Sequence, residues 1–133
     1  PLALLFLDID HFKRINDEYE HRCGDAVLRQ VADIMHQVIR NEDVLARYGG
    51  EEFAIICRET TEAQGAILAE RLRIAIQDHR FTFEQLSLRV TVSLGVAQLS
   101  GEGLSSEALV TAADLALLAA KSQGRNRVIL ASR

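Results

Sequence analysis

Apolar and polar positions follow different rhythms along this chain, and each rhythm predicts a kind of element. Leu2 to Leu7 is apolar without a break and runs straight into Asp8-Ile9-Asp10. That pattern predicts a strand buried on both faces and ending at a polar site. His11 to Glu18 reads as a short helix, with Phe12 and Ile15 inward and Asp10 as its N-cap. From Asp25 to Ile39, Val27, Leu28, Val31, Ile34, Met35 and Val38 recur at helical spacing and predict a second, longer helix.

Arg40-Asn41-Glu42-Asp43 breaks the helical rhythm. Two strand-like runs, Val44 to Tyr48 and Phe53 to Arg58, then flank Gly49-Gly50-Glu51-Glu52, which predicts a hairpin whose turn carries two adjacent carboxylates. Thr60-Thr61-Glu62 opens a helix to about His79, with Thr60 as its cap and Ile67, Leu68, Leu72, Ile74, Ala75 and Ile76 on its core face. Phe81 to Leu86 is ambiguous. Leu88 to Leu99 reads as a Val-rich strand ended by a loop at Ser100-Gly101-Glu102-Gly103. Ser105 or Ser106 caps a last helix through Ala120 and Lys121, Gly124 stops it, and Arg127 to Leu130 closes the chain as a short strand. The order β-α-α-β-β-α-β-α-β predicts an α+β fold, ferredoxin-like, with a mostly antiparallel central sheet flanked by helices.

Composition narrows the function classes. A chain of 133 residues predicts one domain with a proper core. A net charge of -4 and the absence of a basic stripe interleaved with aromatics argue against nucleic acid as a partner. Cys23 and Cys57 lack the spacing of a zinc or redox pair, so reduced thiols and a cytoplasmic location are expected. No run is apolar enough to cross a bilayer, so no direct membrane contact is expected from this domain. Because it opens at Pro1-Leu2 directly in a strand, residues 1–133 read as a single domain excised from a longer chain, with sensor, dimerisation or membrane-anchoring segments expected upstream.

Chemistry gathers at the two polar breaks. With the first strand beside the hairpin, Asp8 and Glu51 face each other. Two carboxylates plus a backbone carbonyl make a hard-oxygen site suited to magnesium holding a substrate's phosphates. Gly49 and Gly50 let backbone amides approach phosphate oxygens, and the start of the His11 helix, with Lys13 in its first turn, adds a positive dipole end. Lys121 and Arg125 stand four apart at the end of the last helix, where cations also complement the helix dipole without any ligand. Asn16 as a helix-end polar residue and Asp25 as a first-turn or N-cap acid likewise have structural readings.

Taken together and in order, Asp8-Ile9-Asp10-His11-Phe12-Lys13-Arg14-Ile15-Asn16-Asp17, Gly24-Asp25, Arg47-Tyr48-Gly49-Gly50-Glu51-Glu52-Phe53, Val90-Thr91-Val92-Ser93-Leu94-Gly95-Val96, Ala113-Asp114 and Ala119-Ala120-Lys121 through Gly124-Arg125-Asn126-Arg127 resemble the GGDEF-domain diguanylate cyclases nearly end to end. The resemblance implies a palm or nucleotidyl-cyclase type of ferredoxin-like fold. It implies condensation of two GTP to cyclic di-GMP with loss of two pyrophosphates. It implies magnesium, with manganese as a substitute, on Asp8, the Ile9 carbonyl and Glu51, with Asp10 supporting that site and Glu52 beside the attacking ribose hydroxyl. Asn16 and Asp25 resemble the guanine readers, a carboxylate accepting guanine's paired donors and rejecting adenine. Phe12, Lys13, Gly49, Gly50, Lys121 and Arg125 complete the implied GTP set.

One such site holds one GTP, so a homodimer facing about a two-fold axis is implied. Arg40 and Asp43, with five residues between Asp43 and Gly49, match the family's product-inhibition motif, with Arg71 as a second arginine for cyclic di-GMP. The chain departs from the pattern at Glu20, where a Gly usually precedes His21 and whose loop is strained if that position has positive φ, and at Leu118, where a Tyr is common. The usual segment ahead of the first strand is also absent. The alternative of another class is a catalytically inactive receptor for GTP or cyclic di-GMP; a plain ferredoxin-like interaction module ranks third.

Overall fold

The structure, a computed structural model, describes residues 1–99, 101 and 105–132. The chain runs β1 (Leu2–Ile9), α1 (Phe12–Tyr19), α2 (His21–Val38), β2 (Val44–Arg47), β3 (Glu52–Arg58), α3 (Glu62–Asp78), β4 (Phe81–Phe83), β5 (Leu86–Leu88), β6 (Val92–Leu99), α4 (Ser106–Ser122) and β7 (Val128–Leu130). A five-stranded sheet has the order β2-β3-β1-β6-β7, antiparallel throughout except for the parallel pair β6 and β7. The expected α+β architecture with a mostly antiparallel sheet is the one observed.

The unbroken apolar run of β1 has a direct cause. Ala3, Leu5, Leu7 and Ile9 face one core with residues of α1, α2 and α3, while Leu4 and Phe6 face a second core with Leu109, Ala113 and Leu117 of α4. β1 is therefore central in the sheet and covered on both faces, as period-2 side-chain alternation requires. Gly95 on β6 lets α4 press onto the sheet. A Cβ there would lie 2.3 Å from the Ala113 carbonyl oxygen and 2.4 Å from the Leu117 nitrogen. That close approach carries the end of α4, with Lys121, to the end of β1.

Four local expectations are corrected, and one ambiguous stretch is resolved. Helix α2 begins at His21, so Asp25 is its fifth residue and not a first-turn or N-cap acid. The cap of α3 is Thr61, whose hydroxyl accepts from the Gln64 N–H in a capping box, while Thr60 is buried beneath Arg40. Asp10 does not cap α1. His11 holds the cap position at φ 57°, and the Asp10 carboxylate is drawn instead to hydroxyls of the β6 segment. The ambiguous stretch after His79 is a two-stranded hairpin, β4 with β5, turning at Glu84 with φ 53°. That hairpin takes Leu88, so the main-sheet strand starts at Val92; one apolar run is divided between two sheets. Of the loop expected at 100–103, all but Gly101 lies outside the described residues.

Candidate active site

The site is built at the end of β1. Asp8 lies opposite Glu52 on β3 and opposite Ser93 on β6. The Ile9 N–H donates to the Glu51 carbonyl at 3.2 Å, which staples the Gly-Gly turn to the strand end. The turn closes through the Tyr48 and Gly49 N–H groups donating to the Glu52 carbonyl at 2.8 and 3.2 Å. Arg47 fixes it from outside, its guanidinium donating to the Gly49 carbonyl at 3.2 Å and to the Gly50 carbonyl at 2.6 Å. A Cβ on Gly50 would meet nothing within 4 Å, so open space lies over that residue.

Negative charge is crowded here. The Asp8 side chain is only 5% exposed and pairs with the Lys121 ammonium. Burial pushes the Asp8 carboxyl up to about 6; Lys121 opposes that rise, and the charges of Glu51 and Glu52 add to it. Lys121 thus pairs with Asp8 while the charges of Glu51 and Glu52 act on the same carboxyl, which holds its proton more tightly than an ordinary aspartate does. Asp8, Glu51 and the Ile9 carbonyl offer only oxygen donors, the donor chemistry that suits magnesium or manganese. Among the described residues no three Asp, Glu, His or Cys side chains come together closely enough to hold a metal ion by themselves. A cation here would rely on carbonyl, water and phosphate oxygens for the remaining positions, as magnesium does in phosphate sites.

Helices α1 and α2 meet at Asn16. Its Oδ1 is the buried side-chain atom without a hydrogen-bond partner among the described residues, and an unpaired buried acceptor calls for a donor. Gly24 permits this packing, because a Cβ there would lie 1.9 Å from Asn16 Oδ1 and 3.1 Å from Phe12. Asp25 is exposed and lines a cleft of about 340 Å³ with Leu28, Arg29, Ala32, Arg47 and Phe53. Lys13 and Arg125 are exposed, and Phe12 is buried in the core beneath α1. Glu20, between the helices, has φ 87° and ψ 161°, a region almost confined to glycine, so the departure noted in the sequence is a real point of strain.

Arg40, Asp43 and Arg71 lie elsewhere. The Asp43 side chain is fully buried and binds Arg40 through the guanidinium at 2.8 Å and through the Arg40 backbone N–H at 2.8 Å. Arg40 Nη2 also donates to the Thr60 hydroxyl at 2.9 Å. Arg40 and Arg71 line one cavity of about 310 Å³ with Val38, Glu59, Thr60 and Gln64. Asp43 lies behind Arg40 and is not part of that lining. Below it, burial first and the Asp43 charge second push the Cys57 thiol up to about 12.

The fold brings Asp8, Glu51, Glu52 and Lys121 together, places Asn16 beside Gly24, and sets Arg40 with Arg71 at a separate cavity. Sequence reasoning gave Arg47 and Asn126 no role of their own, took Thr60 for a helix cap and not a partner of Arg40, and took Asp10 for a helix cap and not the acceptor for Thr91, Ser93 and Asn126. A signal for Asp10 existed. Thr91 and Ser93 are hydroxyls at period 2 in an apolar strand, which calls for a polar partner across the sheet.

The sequence model described as "Diguanylate cyclase, GGDEF domain" matches residues 1–127. The chain is 41% identical over 129 residues to diguanylate cyclase A of Treponema denticola, covering 97% of this chain and 35% of that protein. It is 42% identical over 131 residues to the response regulator PleD of Caulobacter vibrioides, covering 97% of this chain and 29% of that one. It thus spans about a third of the length of these relatives. In structure it resembles the GGDEF domain of DgcB from Caulobacter crescentus in complex with c-di-GMP, with a TM-score of 0.94, 37% identity and coverage of 99% of this chain and 78% of that one. It also resembles the active GGEEF domain of a diguanylate cyclase from Vibrio cholerae, with a TM-score of 0.92, 35% identity and coverage of 99% and 83%. Gly49-Gly50-Glu51-Glu52-Phe53 spells that same GGEEF signature.

Proposed function

The chain belongs to the GGDEF-domain diguanylate cyclase family, and on that premise we propose that it condenses two GTP molecules to cyclic di-GMP with release of two pyrophosphates. The observation that carries this reading is the buried Asp8 carboxylate, paired with Lys121 and under the charges of Glu51 and Glu52, next to an open glycine turn. Such a cluster is arranged to receive a cation together with a polyanion.

Asp8, Glu51 and the Ile9 carbonyl would hold magnesium, or manganese in its place. When bound, the metal supplies charge neutralisation on the triphosphate and acidifies a nearby ribose hydroxyl. The protein's own residues position and discriminate. Lys121 balances Asp8 and is placed, with Lys13 and Arg125, to turn toward phosphate oxygens. Glu52 stands beside the reacting hydroxyl. Asn16 Oδ1 and the Asp25 carboxylate accept from guanine; adenine lacks the N1–H and would leave a buried acceptor unpaired. Phe12 backs this pocket from the core.

One domain holds one GTP, so catalysis needs a second copy facing the first as a homodimer. Feedback follows from the second cavity, where Arg40 and Arg71 present two guanidinium groups to the phosphates or guanine edges of cyclic di-GMP. Asp43 contributes by holding Arg40 in place. Among the described residues no helix is long and apolar enough to cross a membrane, and a cytoplasmic location is part of the proposal because GTP is the substrate.

The receptor reading draws on one observation, the Lys121 ammonium seated on Asp8. Incubating the chain as a dimer with GTP and magnesium separates the two readings. Cyclic di-GMP forms if the chain is a cyclase, and GTP binds but stays intact if it is a receptor.

A further inference from the structure

Asp10 is buried and belongs neither to a helix cap nor to the crowded Asp8 cluster. Its Oδ1 accepts from the Ser93 hydroxyl at 2.7 Å, and its Oδ2 accepts from the Thr91 hydroxyl at 2.7 Å and from the Asn126 backbone N–H at 3.0 Å. The third contact reaches across the molecule to the turn that follows α4. There Gly124, Arg125 and Asn126 have φ of 123°, 63° and 47°. Consecutive left-handed residues are costly for the two that carry a Cβ, so something must hold them.

The holding contacts converge on Asn126. The Arg125 N–H donates to the Ala120 carbonyl at 2.9 Å, which fixes the near side of the turn. On the far side the Asn126 amide donates to Gln77 Oε1 at 2.7 Å and accepts from Arg73 Nη1 at 2.9 Å. Arg73 is itself forked onto Glu70 and donates to Gln77 at 3.1 Å. A polar chain thus runs from α3 through the turn to the end of β1, two residues beyond Asp8. Arg125 sits between the two anchored points with its side chain free in solvent, four residues after the Lys121 that pairs with Asp8. The Gly124 and Arg125 N–H groups, donating to the Lys121 and Ala120 carbonyls, close an ordinary Schellman end on α4, which asks for positive φ only at Gly124; the left-handed Arg125 and Asn126 that follow lie beyond what that helix end requires.

We infer that Asn126 is a positioning residue: anchored to Asp10 through its backbone and to Arg73 and Gln77 through its amide, it holds the strained turn that presents Arg125 to the substrate's phosphates. This rests on the GTP reading above. It concerns how one phosphate contact is placed and names residues with no contact to nucleotide.

The test is calorimetric titration of a non-hydrolysable GTP analogue with magnesium into wild type, Arg125→Ala, Asn126→Gly and the double variant. Asn126→Gly keeps the positive φ and the backbone N–H to Asp10 and removes only the amide. Affinity falls about tenfold in Arg125→Ala and in Asn126→Gly, the value of one charge-assisted contact. The double variant binds no more weakly than Arg125→Ala alone, because Asn126 acts through Arg125. Wild-type affinity in either single variant, or losses that multiply in the double variant, overturns the inference. Gln77→Leu withdraws the acceptor without touching the turn and gives the same loss, Gln77→Glu restores binding, and this pair decides the matter if Asn126→Gly does not fold. Wild type that binds no analogue at all removes the GTP reading itself, and the inference with it.

Discussion

Two ionic clusters stand at opposite ends of β1, about 20 Å apart by strand geometry, and they differ in kind. At the far end, the buried Asp8 pairs with Lys121 under the charges of Glu51 and Glu52, and its carboxyl is pushed up to about 6. At the near end, beside Pro1 and Arg58, the buried Asp43 carboxylate fixes the Arg40 guanidinium, Glu42 pairs with it at 3.8 Å from the exposed side, and Thr60 takes up a further donor. The first cluster is held short of positive charge by the backbone register of three strands. The second is built around a guanidinium that buried Asp43 fixes in place, and it presents that arginine to a cavity. A site that must take up a metal with a triphosphate benefits from unbalanced charge, whereas a site that recognises a preformed dinucleotide benefits from rigid donors.

The largest effect that could break this contrast is at Glu51. Glu51→Gln keeps the shape of the side chain and removes its charge, and we expect cyclic di-GMP synthesis to fall by about 10³-fold or more. Chromatography of the reaction products checks this, and near-normal synthesis would remove Glu51 from the metal role. At the other cluster, Arg40→Ala should raise the cyclic di-GMP concentration needed for half-inhibition by at least about tenfold, read from initial rates with added product. Unchanged inhibition would sink that assignment.

A subtler difference lies in pH dependence. Folded Asp8 titrates near 6, against about 3.8 for an ordinary aspartate. Between those values the folded state binds more protons than the unfolded one, so Asp8 makes stability fall as pH rises from about 4 to about 6. Urea unfolding of the metal-free chain across that window should show a downward contribution that Asp8→Asn removes; identical pH profiles for the two proteins would contradict the crowding argument. The smallest effect is at Cys57. With its thiol buried and pushed up to about 12, it should resist iodoacetamide in the folded protein at about pH 8 and react once urea unfolds the chain. Mass spectrometry of the peptides reads the difference.

What could be read from the sequence follows from the range of the interactions involved. β1, α2 and the hairpin were legible because their signals are local: an unbroken apolar run, a helical repeat, two glycines between apolar arms. The fate of Asp10 was not legible as written, because a residue before a helix looks like a cap, and only the tertiary approach of Thr91, Ser93 and Asn126 draws its carboxylate away. The division of the run after Leu86 into β5 and β6 depends on which partner each strand finds, which periodicity does not encode. Candidate site residues were legible through their order and spacing, and Glu20 shows how far that reaches. Its unusual residue type flagged strain, and the backbone there has the positive φ that makes it so. The Lys121–Asp8 pair was not legible, since it depends on how closely α4 lies over Gly95.

The account rests most directly on the products released from GTP by the wild-type dimer with magnesium and with the metal chelated. It predicts two pyrophosphates for each cyclic di-GMP, formed only when magnesium is present. A chain that binds GTP with magnesium and releases neither product would contradict it.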